Sequence, residues 1–226
     1  MGWLFGEYPP GRKDRFDDYL RVTEHLQAAH RKAYDVLKAG PGDFPVGLTL
    51  SMSEWSAEPG SEDLVPRYRA HHEDSYLEVA RGDDFVGVQA YSRNRVGADG
   101  VLGPEPGVEV LPMGYEYWPT AAEAAVRHAA AVTGIPVYVT ENGIGTDDDE
   151  QRIRYLRSSL AGVARTVADG LDVRGFFCWS LLDNFEWTFG YRMKFGLVAV
   201  DRATQVRTVK PSGRWFGDVA RTNRVD

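Results

Sequence analysis

Two glutamates occupy positions from which a carboxylate could act on a bound ligand. Glu141 directly follows the apolar run at residues 136–140, and Glu186 lies in a segment rich in aromatic and amide side chains at residues 179–187. When strands are parallel, the ligand site lies at their carboxyl ends, so residues that follow a strand are placed to contact it. Carboxylates and amides bind sugar hydroxyls, and aromatic rings pack against the C–H face of a pyranose. The residue types therefore favour a carbohydrate site at the ends of the strands.

Alternating helices and strands are predicted to position these residues. Short apolar runs typical of strands occur at residues 44–50, 85–91, 136–140 and 173–179. Apolar residues at helical spacing predict helices at residues 16–39, 64–80, 121–132 and 212–220. A further helix is predicted to begin at Asp147, because Asp147 and Glu150 have the spacing of a capping box and an apolar stripe follows them.

The order of these elements predicts an α/β protein with about four parallel βα units. The strands are almost continuously apolar, which is typical of a sheet covered on both faces. Because a complete (β/α)8 TIM barrel has eight units in ~250 residues, residues 1–226 are interpreted as a single partial barrel domain, half of such a barrel. An open doubly wound nucleotide-binding fold is the alternative, but no glycine-rich phosphate-binding turn follows any predicted strand. Nucleotide binding is therefore disfavoured.

Four short motifs are distributed along the chain, at residues 113–116 (MGYE), 140–143 (TENG), 179–187 (WSLLDNFEW) and 210–212 (KPS). In their order and approximate spacing they resemble the carboxyl-terminal half of glycoside hydrolase family 1, the β-glucosidase-like enzymes. The second motif resembles the nucleophile segment of that family, and the third resembles its glycone-binding segment. The resemblance implies half of a TIM barrel and a retaining β-glycosidase that hydrolyses β-D-glucosides or related glycosides.

The resemblance also implies which residues act on the nucleophilic side of the reaction. Glu141 would be the nucleophile that forms a glycosyl-enzyme intermediate, and Tyr91 would donate a hydrogen bond to its carboxylate. The family usually has an asparagine two residues before this tyrosine and an aromatic residue between them. This sequence has Gln89 and Ala90 at those positions, so the hydrogen bonding around Glu141 is not predicted by the resemblance.

For substrate binding, the resemblance implies contacts from Trp179, Glu186, Trp187, Asn142 and Phe195. Glu186 and Trp187 would bind sugar hydroxyls, and Trp179 would form the floor of the subsite. A 6-phospho-β-glycosidase of the same family is an alternative, in which Ser, Lys and Tyr surround the phosphate. The matching positions here are Glu186, Met193 and Phe195, and this difference disfavours a phosphorylated substrate.

A retaining glycosidase needs a second carboxyl group ~5–5.5 Å from the nucleophile, which acts as general acid and base. In the family that group precedes a loop resembling residues 2–11, so it is expected before Met1. We therefore expect this chain alone to be inactive or weakly active, and to need an amino-terminal half. Half of a barrel also leaves two strand edges open, which predicts a complementary half or self-association as a dimer. The alternative is a non-catalytic half-barrel that self-associates and keeps part of a sugar site. Glu54, expected just beyond the first strand, is the one other acid near the predicted site.

Composition disfavours several other partners. The net charge is −7 with a pI near 5.3 and no basic stripe, so neither nucleic acid nor an anionic membrane is an expected partner. No apolar run is long enough to span a membrane and no secretory signal is visible, so a cytoplasmic location is predicted. Cys178 is the only cysteine, which rules out an internal disulfide. The histidines lack metal-ligand spacing, and no metal or cofactor is expected.

Overall fold

A sheet of parallel strands lies at the centre of the computed structural model, which describes residues 2–225. The strands are β1 (Gly47–Ala57), β2 (Phe85–Gly97), β3 (Gly100–Leu102), β4 (Val137–Asn142), β5 (Val173–Cys178), β6 (Val198–Val200) and β7 (Arg207–Val209). Strands β1, β2, β4 and β5 pair in that order, and each of these pairs is parallel. Strand β3 pairs with β2, and β6 pairs with β7; both pairs are antiparallel.

A helix follows each of the central strands, and one further helix, α1, precedes β1. The helices are α1 (Phe16–Ala39), α2 (Leu64–Arg69), α3 (Ser75–Ala80), α4 (Ala121–Thr133), α5 (Asp149–Ala168) and α6 (Pro211–Thr222). Residues 2–225 therefore contain four parallel βα units, which are half of those in a (β/α)8 barrel, and the predicted fold class is confirmed. Within residues 2–225 no helix has the length and apolar character needed to cross a membrane.

The main hydrophobic core lies between one face of the sheet and the helices. Alternate residues of β2 point into it, because successive side chains of a strand lie on opposite faces. Val86, Val88 and Ala90 are buried there against α4, whose small residues let the helix approach the sheet closely. A second cluster, formed by Leu111, Ile144, Tyr155, Leu156 and Leu197, lies under the loops at the carboxyl ends of the strands. Burial of apolar surface, at about 25 cal/mol per Å², therefore fixes the loops as well as the sheet.

The other face of the sheet is not covered by the described residues. Gln89 and Tyr91 of β2 point to this open face and are only half-buried, and Phe177 of β5 is 57% exposed. The apolar strands had suggested a sheet covered on both faces, but the described helices cover only one. Strands β1 and β5 each have one neighbour in the described part of the chain, so both edges of the sheet are open.

Strand β2 is longer than predicted. It continues past Tyr91, where the predicted strand ends, to Gly97 and pairs with β1 and β3. The charged side chain of Arg93 is accommodated because the carboxylates of Glu105 and Glu116 bind it. Cross-strand pairing therefore overrides the low strand propensity of this polar segment.

The start of α5 also differs from the prediction. The helix begins at Asp149, and Asp148 is its cap, with its Oδ1 accepting a hydrogen bond from the backbone of Gln151 at 3.1 Å. The predicted capping box of Asp147 and Glu150 is therefore wrong by one residue. Asp149 instead binds the backbone N and the hydroxyl of Ser212, at 2.7 and 2.6 Å, which joins the starts of α5 and α6.

The helix predicted over residues 64–80 is interrupted by a π-helical segment, Ala70–Asp74. This segment contains Glu73, whose side chain is nearly fully buried and whose Oε1 accepts hydrogen bonds from the Ser53 backbone (2.9 Å) and Trp55 Nε1 (2.7 Å). Its Oε2 has no partner. Desolvation by burial raises the pKa of Glu73 above the ordinary value, although both hydrogen bonds oppose the shift.

The raised pKa predicts how Glu73 affects stability. The folded state holds the proton of Glu73 more tightly than the unfolded chain does, and this difference contributes to the free energy of unfolding. The contribution is fully present below about pH 4.5 and is lost as the pH rises through the raised pKa of the folded state. We expect the urea midpoint of the wild type, relative to Glu73→Gln, to fall between acidic and neutral pH. Glu78→Gln is the control. Because Arg81 lowers the pKa of Glu78, the urea midpoint of the wild type relative to Glu78→Gln should change with pH in the opposite direction. A Glu73→Gln difference that is constant with pH would contradict the prediction.

Candidate active site

Glu141 lies near the carboxyl end of β4, and both of its carboxylate oxygens are hydrogen-bonded. Tyr91 donates its hydroxyl to Oε2 at 2.5 Å, and Gln89 donates its Nε2 to Oε1 at 2.9 Å. Gln89 and Tyr91 are two residues apart in β2, so they point to the same face of the sheet. Gln89, a departure from the family pattern, is therefore a second donor to this carboxylate. The two-residue spacing was a signal from which this could have been predicted.

Tyr91 is held as a hydrogen-bond donor. Burial, its hydrogen bond to Glu141 and the charge of that carboxylate all raise the pKa of Tyr91 far above its ordinary value, so the hydroxyl keeps its proton. The backbone of Tyr91 is fixed by Tyr155 of α5, whose hydroxyl donates to the Tyr91 carbonyl at 2.6 Å. Phe195 packs edge-on against the Tyr91 ring, with 6.2 Å between the ring centroids.

Asn142 differs from the other predicted site residues because its side chain has no exposed surface. Its Nδ2 donates to the Ala90 carbonyl at 2.7 Å and to the Tyr155 hydroxyl at 3.3 Å. The side chain therefore joins β4 to β2 and α5. The expected direct contact between Asn142 and a sugar is not supported by this position, and the residue fixes the strand that carries Glu141.

Trp179 lies at the end of β5, next to the segment that carries Glu141. Its backbone N donates to the Asn142 carbonyl at 2.9 Å. The two segments approach so closely that a Cβ atom at Gly143 would lie 2.0 Å from the Trp179 carbonyl oxygen. Only glycine fits at position 143 without moving the two segments apart.

Glu186 is 9% exposed and lies in the loop that follows β5. Burial raises the pKa of Glu186, hydrogen bonds from Asn184 and Trp179 oppose the shift, and the negative charge of Glu141 adds to it. Glu186 is therefore beside Trp179 and within electrostatic reach of Glu141. Trp187 starts a short 3-10 turn (Trp187–Phe189) and is 70% exposed, so it lies at the margin of this group.

The predicted residues thus fall into three classes. Glu141, Tyr91, Glu186 and Trp179 are together at the carboxyl ends of the strands, and Trp187 is at the margin. Asn142 and Phe195 are buried behind them, with Phe195 only 2% exposed. The last two can position the site but present almost no surface to a ligand.

The guanidinium of Arg152, in α5, holds the loops of the site together and was not foreseen from the sequence. Arg152 is 1% exposed. It donates to the carbonyls of Ile144 (2.8 Å) and Thr146 (2.6 Å) in the loop after β4, and to the carbonyl of Lys194 (2.9 Å) beside Phe195. The loop that follows Glu141 is therefore fixed to the segment that carries Phe195.

Glu54 and Cys178 are the other two residues noted in the sequence. Glu54 lies within β1 rather than beyond it, and its Oε2 accepts hydrogen bonds from Trp118 Nε1 and the Thr120 hydroxyl, both at 2.8 Å. Burial raises the pKa of the Cys178 thiol to about 12, which keeps it protonated at neutral pH. Among residues 2–225, no cluster of three or more His, Cys, Asp or Glu side chains is arranged to hold a metal ion.

A sequence profile described as "Glycosyl hydrolase family 1" matches residues 103–225, more than half of the chain. The chain belongs to glycosyl hydrolase family 1. The 1,4-beta-D-glucan glucohydrolase of Thermotoga neapolitana is 32% identical over 273 aligned residues, with 99% of this chain and 61% of that protein covered. The beta-glucosidase of Agrobacterium sp. is also 32% identical, with 97% and 59% covered. This member of family 1 spans about three fifths of the length of the curated relatives it matches.

Solved structures of family 1 members superpose closely. The beta-glycosidase BGL167 has 50% sequence identity and a TM-score of 0.84, with 88% of this chain and 48% of that chain covered. The beta-glucosidase from Thermotoga maritima in complex with glucoimidazole has 28% identity and a TM-score of 0.87, with 98% and 61% covered.

The position of Arg152 predicts a large loss of stability on substitution. Arg152→Met removes the donor to three backbone carbonyls and leaves Asp149 without its cation, so the free energy of unfolding should fall by about 3–5 kcal/mol. Arg154→Met removes an exposed arginine of the same helix and should change it by no more than about 0.5 kcal/mol. Urea denaturation measures both, and equal effects of the two substitutions would contradict the assigned role.

Proposed function

We propose that this chain supplies the nucleophile and part of the sugar-binding surface of a retaining β-glycosidase that acts on β-D-glucosides or related glycosides. The observation that carries the proposal is the position of Glu141, at the end of a central strand with a hydrogen-bond donor on each carboxylate oxygen. Glu186 and Trp179 beside it are suited to bind the hydroxyls and the apolar face of a sugar ring. The relatives that are named beta-glucosidases support the same substrate class.

In this reaction Glu141 attacks the anomeric carbon. A bond forms between a carboxylate oxygen and that carbon, the bond to the aglycone oxygen breaks, and water later releases the sugar from the glycosyl-enzyme. Tyr91 and Gln89 restrict the rotation of the carboxylate and so hold one lone pair in line with the anomeric carbon. The fully buried Asn142 and Phe195 act through the residues that they position.

The aglycone oxygen needs a proton when it leaves, and general acid catalysis contributes about 10²–10⁴-fold. Glu186 is the acid beside Glu141, and its proposed task is to bind sugar hydroxyls. We assign the proton donor to a further part of the barrel that would cover the open face and pair with β1 and β5. A complementary half could supply both the strands and the proton donor, whereas a second copy of the chain could supply only the strands.

The test compares two β-D-glucosides. The 2,4-dinitrophenyl leaving group departs without protonation, whereas the 4-nitrophenyl group benefits more from a proton donor. We expect the purified chain to release dinitrophenol but little nitrophenol, and Glu141→Ala to abolish the release. Glu150→Ala, which removes an exposed glutamate of α5, is the matched control.

Each other outcome has a defined meaning. Unchanged turnover in Glu141→Ala would remove Glu141 as the nucleophile. No turnover of either glucoside by the folded chain would favour the alternative, a non-catalytic half-barrel with a partial sugar site. Brisk turnover of both would place a proton donor within this chain.

Gln89 provides a second prediction. Gln89→Leu removes one of the two donors to Glu141 and frees the carboxylate to rotate, so release of dinitrophenol should fall by about 10-fold. Gln27→Leu also removes a glutamine that donates one hydrogen bond, but to the Ser75 carbonyl between α1 and α3, and should leave the rate unchanged. Equal rates for the wild type and Gln89→Leu would show that Tyr91 alone orients the nucleophile.

A further inference from the structure

The side chains of Lys210 and Asp183 form an ion pair that joins two of the sequence motifs, residues 210–212 and 179–187. Lys210 Nζ donates to Asp183 Oδ1 at 2.9 Å, and the two side chains are only 16% and 6% exposed. Removing both charges from water offsets most of their attraction, so apolar residues in place of a buried ion pair are often equally stable. Stability alone therefore does not account for the pair, and the segments that it holds together have to be considered.

Asp183 holds the base of the loop that carries Glu186. Its backbone N donates to the Val198 carbonyl at 3.0 Å, and its Oδ1 also accepts a hydrogen bond from Gly196 N at 2.9 Å. Beyond Asp183, the described backbone–backbone hydrogen bonds of residues 184–192 all stay within the loop. Asp183 is therefore the last residue before Glu186 whose backbone is attached to the rest of the protein.

Lys210 is held by the junction of α5 and α6, because it directly precedes α6. Asp149, at the start of α5, binds the backbone N and hydroxyl of Ser212 at 2.7 and 2.6 Å, and Arg152 Nε at 3.0 Å. Arg152 fixes the loop that follows β4, and Lys210 holds the loop that follows β5. The two loops of the candidate site are therefore attached to one framework.

We propose that the Lys210–Asp183 ion pair positions Glu186 to bind the sugar and thereby sets the affinity for the glycoside. The inference rests on the proposed function, because it needs a sugar bound beside Glu141. Loss of the ammonium group would leave the carboxylate of Asp183 buried without its cation, and the base of the loop would move toward water. Glu141 would keep its two hydrogen-bond donors, since both belong to β2. The pair therefore acts on sugar binding and not on the reactivity of the nucleophile.

The test is Lys210→Met, which replaces the ammonium group by an apolar side chain of similar length. Titration calorimetry with glucoimidazole should show binding weakened by about 10-fold, because the displaced loop no longer meets the sugar correctly. The kcat for release of 2,4-dinitrophenol should stay within about 2-fold of the wild type, since the nucleophile is unchanged.

A second variant separates positioning from folding. Asp183→Asn combined with Lys210→Met leaves no unpaired charge and keeps an acceptor for Gly196 N, so its thermal midpoint should equal that of the wild type. Its binding of glucoimidazole should still be about 10-fold weaker, because the contact between the loop and Lys210 is absent. If Lys210→Met alone does not fold, this double variant decides.

Lys38→Met is the matched control. Lys38 Nζ also donates to a carboxylate oxygen at 2.9 Å, that of Asp84. Asp84 directly precedes β2 and so lies at the opposite end of the strands from Glu141. This variant should leave both the affinity and kcat unchanged.

Four results would overturn the inference. Equal affinity of the wild type and both Lys210 variants would overturn it alone and leave the proposed function intact. A lower kcat with unchanged affinity would place the effect of the pair on Glu141. Wild-type affinity in the double variant would show that the unpaired charge, and not the position of Glu186, weakened binding in Lys210→Met. No binding of glucoimidazole by the folded wild-type chain would overturn the proposed sugar site and this inference with it.

Discussion

A buried positive charge in α5 constrains the whole of the site. Removing the Arg152 guanidinium from water is unfavourable by several kcal/mol, so it is tolerated only where polar partners surround it. Those partners are three backbone carbonyls and the carboxylate of Asp149. Carbonyls from two loops must converge to satisfy one side chain, and the loop after β4 therefore has a fixed position relative to the segment that carries Phe195.

From Arg152, contacts made by two tyrosines lead to Glu141, the proposed nucleophile. Tyr155 lies one turn beyond Arg152 in α5 and donates to the Tyr91 carbonyl, and Tyr91 donates to Glu141. Asn142 adds a parallel link through the Ala90 carbonyl. The carboxylate is thus oriented by groups that belong to β2 and α5 as well as to its own strand, and its geometry depends on several elements being in place at once.

The sequence predicted the parallel βα order and the position of Glu141 at a strand end, because both depend on local patterns. Periodicity shows where strands and helices lie, and a polar residue after an apolar run marks the end of a strand. The extension of β2 was missed because Arg93 looks unsuited to a strand until Glu105 and Glu116 are brought near it by the fold. The burial of Asn142 was also missed, because a motif shows which residues are adjacent in the chain but not which way each side chain points.

The three consecutive aspartates before α5 illustrate a different limit. Any of Asp147, Asp148 and Asp149 could cap a helix by residue type alone. The contact of Asp149 with Ser212 at the start of α6 leaves Asp148 as the cap. A contact 63 residues away in the chain therefore decides a local boundary.

The open edges of the sheet limit how another set of strands can complete it. Parallel strands can pair in registers that differ by two residues, because such a slip keeps each side chain on its original face. One slip moves the added strand by about 6.6 Å, which exceeds the ~5–5.5 Å between the two carboxyl groups of a retaining glycosidase. A barrel closed one step out of register would have a complete set of backbone hydrogen bonds and a proton donor out of reach. For the proposed barrel, assembly and activity are therefore separable, and tight association with the added strands would not by itself show that the proton donor had reached Glu141.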